Sequence, residues 1–164
     1  SWLVVSGVSI FATGFSSAAL TALVVRHVII PSMVENGENL DHMFKPHEHV
    51  MHNLALILLS IDLVLGGMVV LWTMMSLSLI VGALYLVFAE FWAIKGSGYY
   101  VYEFIDTRPR FAPLFLVGLM VVCLISFCIG LAISEIKEDY PLLATFAIVL
   151  FLSLSVRFRD PSTR

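Results

Sequence analysis

Histidines and a few carboxylates carry most of the side-chain chemistry open to this 164-residue chain. All five histidines, His27, His42, His47, His49 and His52, fall within 26 residues. An imidazole titrates near neutrality, so such a cluster suits a general base, a metal site or a polar, pH-sensitive rim that binds water or headgroups. Zinc wants three or four well-placed ligands, and His47, His49 and His52 supply three nitrogens. The spacing of His42 fits no metal motif, and the expectation is no metal. Haem held by two histidines needs one deep in each of two helices, whereas these sit at a rim. His52 lies about one turn into an apolar segment, at the depth of a lipid ester, where it would act as general base on a hydroxyl nucleophile. His49 precedes it by one turn on a similar face.

Two carboxylates stand inside apolar runs, where an ionisable group costs a few kcal/mol unless paired or wetted. Asp62 reads as near mid-depth, facing the bundle interior, either protonated or hydrogen-bonded to a neighbouring hydroxyl. Glu90 lies a turn from Lys95, to pair with it, to reach the interface, or to orient an imidazole at the same end of the bundle. Cys123 and Cys128 sit about 140° apart on one apolar helix and read as packing residues, neither paired locally nor at metal spacing.

The elements that hold these residues follow from hydropathy. Sixty per cent of residues are hydrophobic and 13% charged, with a mean hydropathy of +0.98, well outside the soluble class. A net charge of −3 gives no basic field for nucleic acid. A helix needs roughly 20 apolar residues to cross about 30 Å of hydrocarbon. By that ruler the chain reads as an all-α, polytopic bundle of five transmembrane helices, at residues 2–30, 49–72, 77–94, 111–134 and a short last one at 141–156. Pro31 is expected to close the first helix, and Asn36-Gly37 marks a turn in the polar loop after it. The block from Val50 to Ile94 is too long for one span, with its turn expected near Thr73 to Ser78 and Gly66-Gly67 as the competing place. Tyr99, Tyr100 and Tyr102 suit an interfacial aromatic belt.

Charge placement favours the fifth helix. With five spans, Arg26, Lys45, Lys95, Arg108, Arg110, Arg157, Arg159 and Arg164 fall on one face and only Lys137 on the other. With four spans the contrast vanishes. Because Lys and Arg concentrate on the cytoplasmic or matrix-type side, the C-terminus is expected there. Ala18, Ala19, Gly82 and Gly118 are small enough to permit close helix approach.

His49-Val-Met-His52, with Asp62 further along the same apolar run, resembles the histidine and downstream acidic residue of the androgen-induced and androgen-dependent TFPI-regulating proteins. The segment Gly98-Tyr-Tyr-Val-Tyr-Glu-Phe104 is similar to that family's G-x-W-V-Y-P-x, departing at Tyr100 and at Tyr102-Glu103, and Pro31 with Leu40-Asp41 loosely resembles its linker. The likeness covers Trp2 to about Leu131 and the C-terminal part of the family fold. It implies a multi-pass membrane hydrolase of fatty-acid esters of hydroxy fatty acids, with His52 as the histidine and a Thr nucleophile on a helix that would precede Ser1. Thr13 lies in the following helix and does not fill that role.

The residues themselves favour an integral membrane subunit, non-catalytic and in contact with lipid, within a larger complex. Its expected partners are membrane lipids, bound lipid being the only ligand expected, and other membrane subunits, in an endomembrane or the mitochondrial inner membrane. The alternative is the ester hydrolase, with His52 as base and His49, Asp62 and Glu90 in support.

Overall fold

Prolines open three of the helices, each at a first-turn position where the missing N–H costs nothing and the fixed φ already suits a helix. The computed structural model describes residues 1–96, 98–100 and 105–161. Every main element in it is helical: α1 Trp2–Glu35, α2 Pro46–Leu65, α3 Trp72–Lys95, α4 Ala112–Ile136 and the shorter α5 Pro141–Ser155. The first four are long and apolar enough to cross a membrane, so the chain is a multi-pass helical bundle of membrane type.

α1 is the central helix, packing against all four others. Its run of Ala12, Ser16, Ala19 and Ala22 is almost wholly buried and lets neighbours approach closely, while Phe11 and Phe15 fill the space between them. Leu56 and Leu63 of α2, Phe127 and Ile133 of α4, and Ala144, Ile148 and Phe151 of α5 complete the core. Close approach of α1 and α4 occurs at Gly130, where a Cβ would meet the Phe15 ring at 2.8 Å. Gly82 and Gly118, singled out for that role in the sequence, have nothing within 4 Å of a built Cβ. Both lie on faces that no neighbouring helix covers closely, which corrects that expectation.

Pro31 does not close α1. Its ring cannot donate to the carbonyl four residues back, and the helix absorbs this with a π-helical turn, Val25–Ile29, in which the Ile30 N–H bonds to the Val25 carbonyl. The helix continues to Glu35 and stops at Asn36-Gly37. There Gly37 takes φ +68°, and the Glu38 N–H returns to the Met33 carbonyl at 2.9 Å, a Schellman-type stop. A short 3₁₀ turn, Asp41–Phe44, leads into α2, which has a π turn of its own at Val50–Leu54.

The second correction concerns the fold-back of the long apolar block. The helix breaks at Gly66-Gly67, and Thr73 to Ser78, the favoured site in the sequence, lies inside the first turns of α3. Gly66 fits the end of α2 because a Cβ there would come within 2.5 Å of the Asp62 carbonyl oxygen. The extended link that follows is apolar, yet much of its backbone is satisfied from α4 and just beyond. Lys137 Nζ donates to the carbonyls of Leu63, Gly66 and Met68 at 3.0, 3.2 and 2.7 Å, and the Val70 N–H donates to Ser134 Oγ at 2.8 Å.

Candidate functional sites at the basic end

The two π turns lie at the same end of the bundle, and the polar chemistry gathers there. On α2, Glu48 and His52 are four apart and so share a face. His52 Nε2 sits 2.8 Å from Glu48 Oε2, with only 12% and 17% of the two side chains exposed. His47 touches the other Glu48 oxygen at 3.4 Å. The second nitrogen of His52, Nδ1, is buried with no hydrogen-bond partner among the described residues.

His49 belongs to a different network. Its Nδ1 lies 3.1 Å from Asn53 Nδ2, which also donates to the Arg157 carbonyl at 2.8 Å. The His49 ring packs against Phe44 on one side and Phe158 on the other, at centroid distances of 6.0 and 5.3 Å. Asn53 is buried, so His49 serves to fasten the chain after α5 to α2.

The two acidic residues anticipated as support lie elsewhere. Asp62 is exposed in the last turn of α2; the mid-depth position expected for it assumed a helix that ran on to residue 72. Glu90 accepts hydrogen bonds from Tyr100 and from Thr107, the latter at 2.8 Å, because the chain after α3 folds these hydroxyls back onto it. Among the described residues it makes no ion pair with Lys95. The carboxylate that does orient His52 is Glu48, which the sequence reading passed over; its signal was the E-x-x-x-H spacing within one helix.

Beside Glu90, Arg108 pairs with Asp106 at 2.6 Å and lies over the Tyr100 ring at 5.3 Å. The hydrogen bond from Arg108 holds the half-buried Asp106 carboxyl below its ordinary range. Val101 to Phe104, including Tyr102 and Glu103 of the loop motif, and Arg164 of the charge count lie outside the described residues.

Nucleophile candidates stand away from His52. The hydroxyls of Thr13 and Ser60 are buried without hydrogen-bond partners among the described residues, at matching depth on α1 and α2, where Gly14 faces Leu59. Ser60 is about 12 Å of helix rise beyond His52. Among the described residues no three of His, Cys, Asp and Glu converge on a metal-sized site. Cys123 and Cys128 are both free thiols.

An apolar crevice of about 350 Å³ lies between α1, α3 and α4, lined by Leu20, Val24, Gly82, Leu86 and Met120 among others. Ser78 lies in its wall and accepts a hydrogen bond from buried Ser16 at 3.1 Å. Ile29 and Ile105 bound it toward the basic end. No family model, curated protein or solved structure matches this chain.

Proposed function

We propose that this chain is a non-catalytic, lipid-contacting subunit of a membrane complex, with an acyl chain lying in the crevice between α1, α3 and α4. The crevice carries this reading. Its lining is mostly apolar, Thr21 turns its hydroxyl to the Ser17 carbonyl and Ser78 accepts from Ser16, and helices of membrane length surround it, so hydrocarbon is the chemistry it fits. The outer surface supports the same reading: only 11% of the apolar window of α3 is buried, against 44% for α1, which leaves α3 to be covered by lipid or by another subunit. The C-terminus is assigned to the cytoplasmic or matrix side, in an endomembrane or the mitochondrial inner membrane.

The test is native mass spectrometry of the chain purified in mild detergent, together with Gly82→Phe, which fills open space at the crevice wall. Wild type is expected to carry phospholipid through detergent exchange and to migrate with other membrane proteins on native gels, and Gly82→Phe to lose the lipid. A monodisperse monomer whose lipid content is the same with and without Gly82→Phe rejects the proposal.

One observation favours the alternative, hydrolysis of fatty-acid esters of hydroxy fatty acids: the pairing of Glu48 with His52 and the unpartnered second nitrogen of that imidazole. On this reading, membranes containing the chain cleave a long-chain ester and His52→Ala abolishes the cleavage. Turnover equal in wild type and His52→Ala removes it.

A further inference from the structure

The residues after α5 fold back against the basic end and are fastened at three consecutive positions. Arg26 donates to the Val156 carbonyl at 2.6 Å, Asn53 donates to the Arg157 carbonyl at 2.8 Å, and the Phe158 ring packs on His49. Fastened in this way, the segment brings Arg157 and Arg159 beside Arg26 around a hollow of about 590 Å³, whose wall also contains Ser153, Phe158 and Asp160. Three guanidiniums against one carboxylate leave the hollow with a formal charge of +2 (3 − 1).

The carbonyl end of α5 would by itself repel an anion. That end is covered: Arg26 donates to Ser153 as well as Val156, and His27 Nε2 lies 2.9 Å from the Leu154 carbonyl. A guanidinium has five N–H donors, so an Arg26 nitrogen engaged on two carbonyls leaves donors for the hollow. Among the described residues Arg157 bonds through Nε, to the Arg159 carbonyl, and not through its two terminal nitrogens. Planar forks of this kind match phosphate oxygens in pairs. The depth is also right for a headgroup: Arg26 and His27 are the first charged or ionisable residues after the apolar run of α1, and the polar stretch from Glu35 follows two to three turns on.

We propose that this hollow binds the phosphate of an anionic phospholipid headgroup. Basic pockets at the ends of membrane helices recognise such lipids by charge, and here the guanidiniums are gathered in advance by contacts that do not involve the ligand. The site lies on a different part of the bundle from the acyl-chain crevice, and either assignment can fail without the other.

The experiment is native mass spectrometry of the purified chain in detergent, titrated with phosphatidylglycerol, phosphatidylcholine or inorganic phosphate. Wild type is expected to retain phosphatidylglycerol about tenfold better than phosphatidylcholine. Arg157→Gln/Arg159→Gln is expected to abolish that preference, whereas Lys45→Gln/Lys95→Gln, which removes the same charge from exposed positions at the same end, keeps it. Arg159→Gln alone, an exposed side chain, is expected to weaken the preference severalfold and supplies the reading should the double variant fail to fold. Equal retention of the two lipids by wild type overturns the proposal. So does a preference that survives the arginine variants or falls equally in the lysine control, and so does displacement of phosphatidylglycerol by millimolar inorganic phosphate, which would make the ligand a free anion.

Discussion

Lys137 is the single Lys or Arg at its end of the bundle among the described residues, and it is buried at 7% exposure. An ammonium has three donors, and here they meet three carbonyls, those of Leu63, Gly66 and Met68. The contact both covers the carbonyl end of α2 and holds the extended link against α4. Lys137→Met keeps the length and apolar stem but leaves buried carbonyls unpaired, a loss of about 2–4 kcal/mol. The expected result is a lower unfolding temperature in detergent, with faster hydrogen exchange at the neighbouring Val70 amide. Unchanged exchange at Val70 would mean that the lysine does not hold the link. Asn53 has the corresponding task at the other end, and Asn53→Leu is expected to loosen residues 156–158 in the same exchange measurement while the Val70 amide stays protected. In the sequence Lys137 was visible only as the minority member of a charge count. Its contacts reach about 70 positions back along the chain, and no local pattern encodes them.

At the scale of the helices, the break after α2 shows where hydropathy reading stops. Residues 66–71 are as apolar as the helices beside them, so a hydropathy window cannot separate them; the cause of the break is steric and the compensation is distant. A Cβ on Gly66 would sit 2.0 Å from Asp62 Oδ1 and 2.5 Å from the Asp62 carbonyl oxygen, whereas one on Gly67 meets nothing within 4 Å. Gly66→Ala is therefore expected to destabilise by about 2 kcal/mol or more, and Gly67→Ala to stay within about 0.5 kcal/mol of wild type, in matched thermal unfolding. Equal effects at the two glycines would show that backbone crowding does not set the break. The number of apolar helices and the turn at Asn36-Gly37 were legible, because composition and turn chemistry are local. The passage of α1 through Pro31 was not, because a π turn stores its adjustment in the preceding backbone. The candidate site was half legible: the histidine cluster stood out, but its carboxylate partner was sought on a neighbouring helix when it lay one turn away on the same one.

For the molecule as a whole, the topology turns on α5, which is shorter than the four helices of membrane length. At 15 residues it is about 22 Å long, shorter than the hydrocarbon core, and a short helix is tolerated when the bilayer thins or flanking residues reach for the interface. The structure equips both ends for this. Pro141 opens the helix without an unsatisfied N–H, and Arg26 and His27 cover the carbonyls of Ser153, Leu154 and Val156, groups that lipid could not satisfy. Its last turn reaches the end of the bundle that holds Arg26 and Asn53, opposite the end where Lys137 meets the link after α2. If the bundle spans the bilayer as a unit, Arg159 emerges on the same side as the Asn36-Gly37 turn and on the opposite side from Asp139. Single cysteines at these positions, in a Cys123→Ala/Cys128→Ala background, give a direct measurement with a membrane-impermeant maleimide on sealed vesicles. Asn36→Cys and Arg159→Cys are expected to label together, and Asp139→Cys only after the membrane is opened, or the reverse in inverted vesicles. Labelling of Arg159→Cys together with Asp139→Cys would put the carboxyl end of α5 back on the side where it began. The arginine hollow could not then form beside Arg26, and the charge asymmetry that first argued for five helices would have no physical basis.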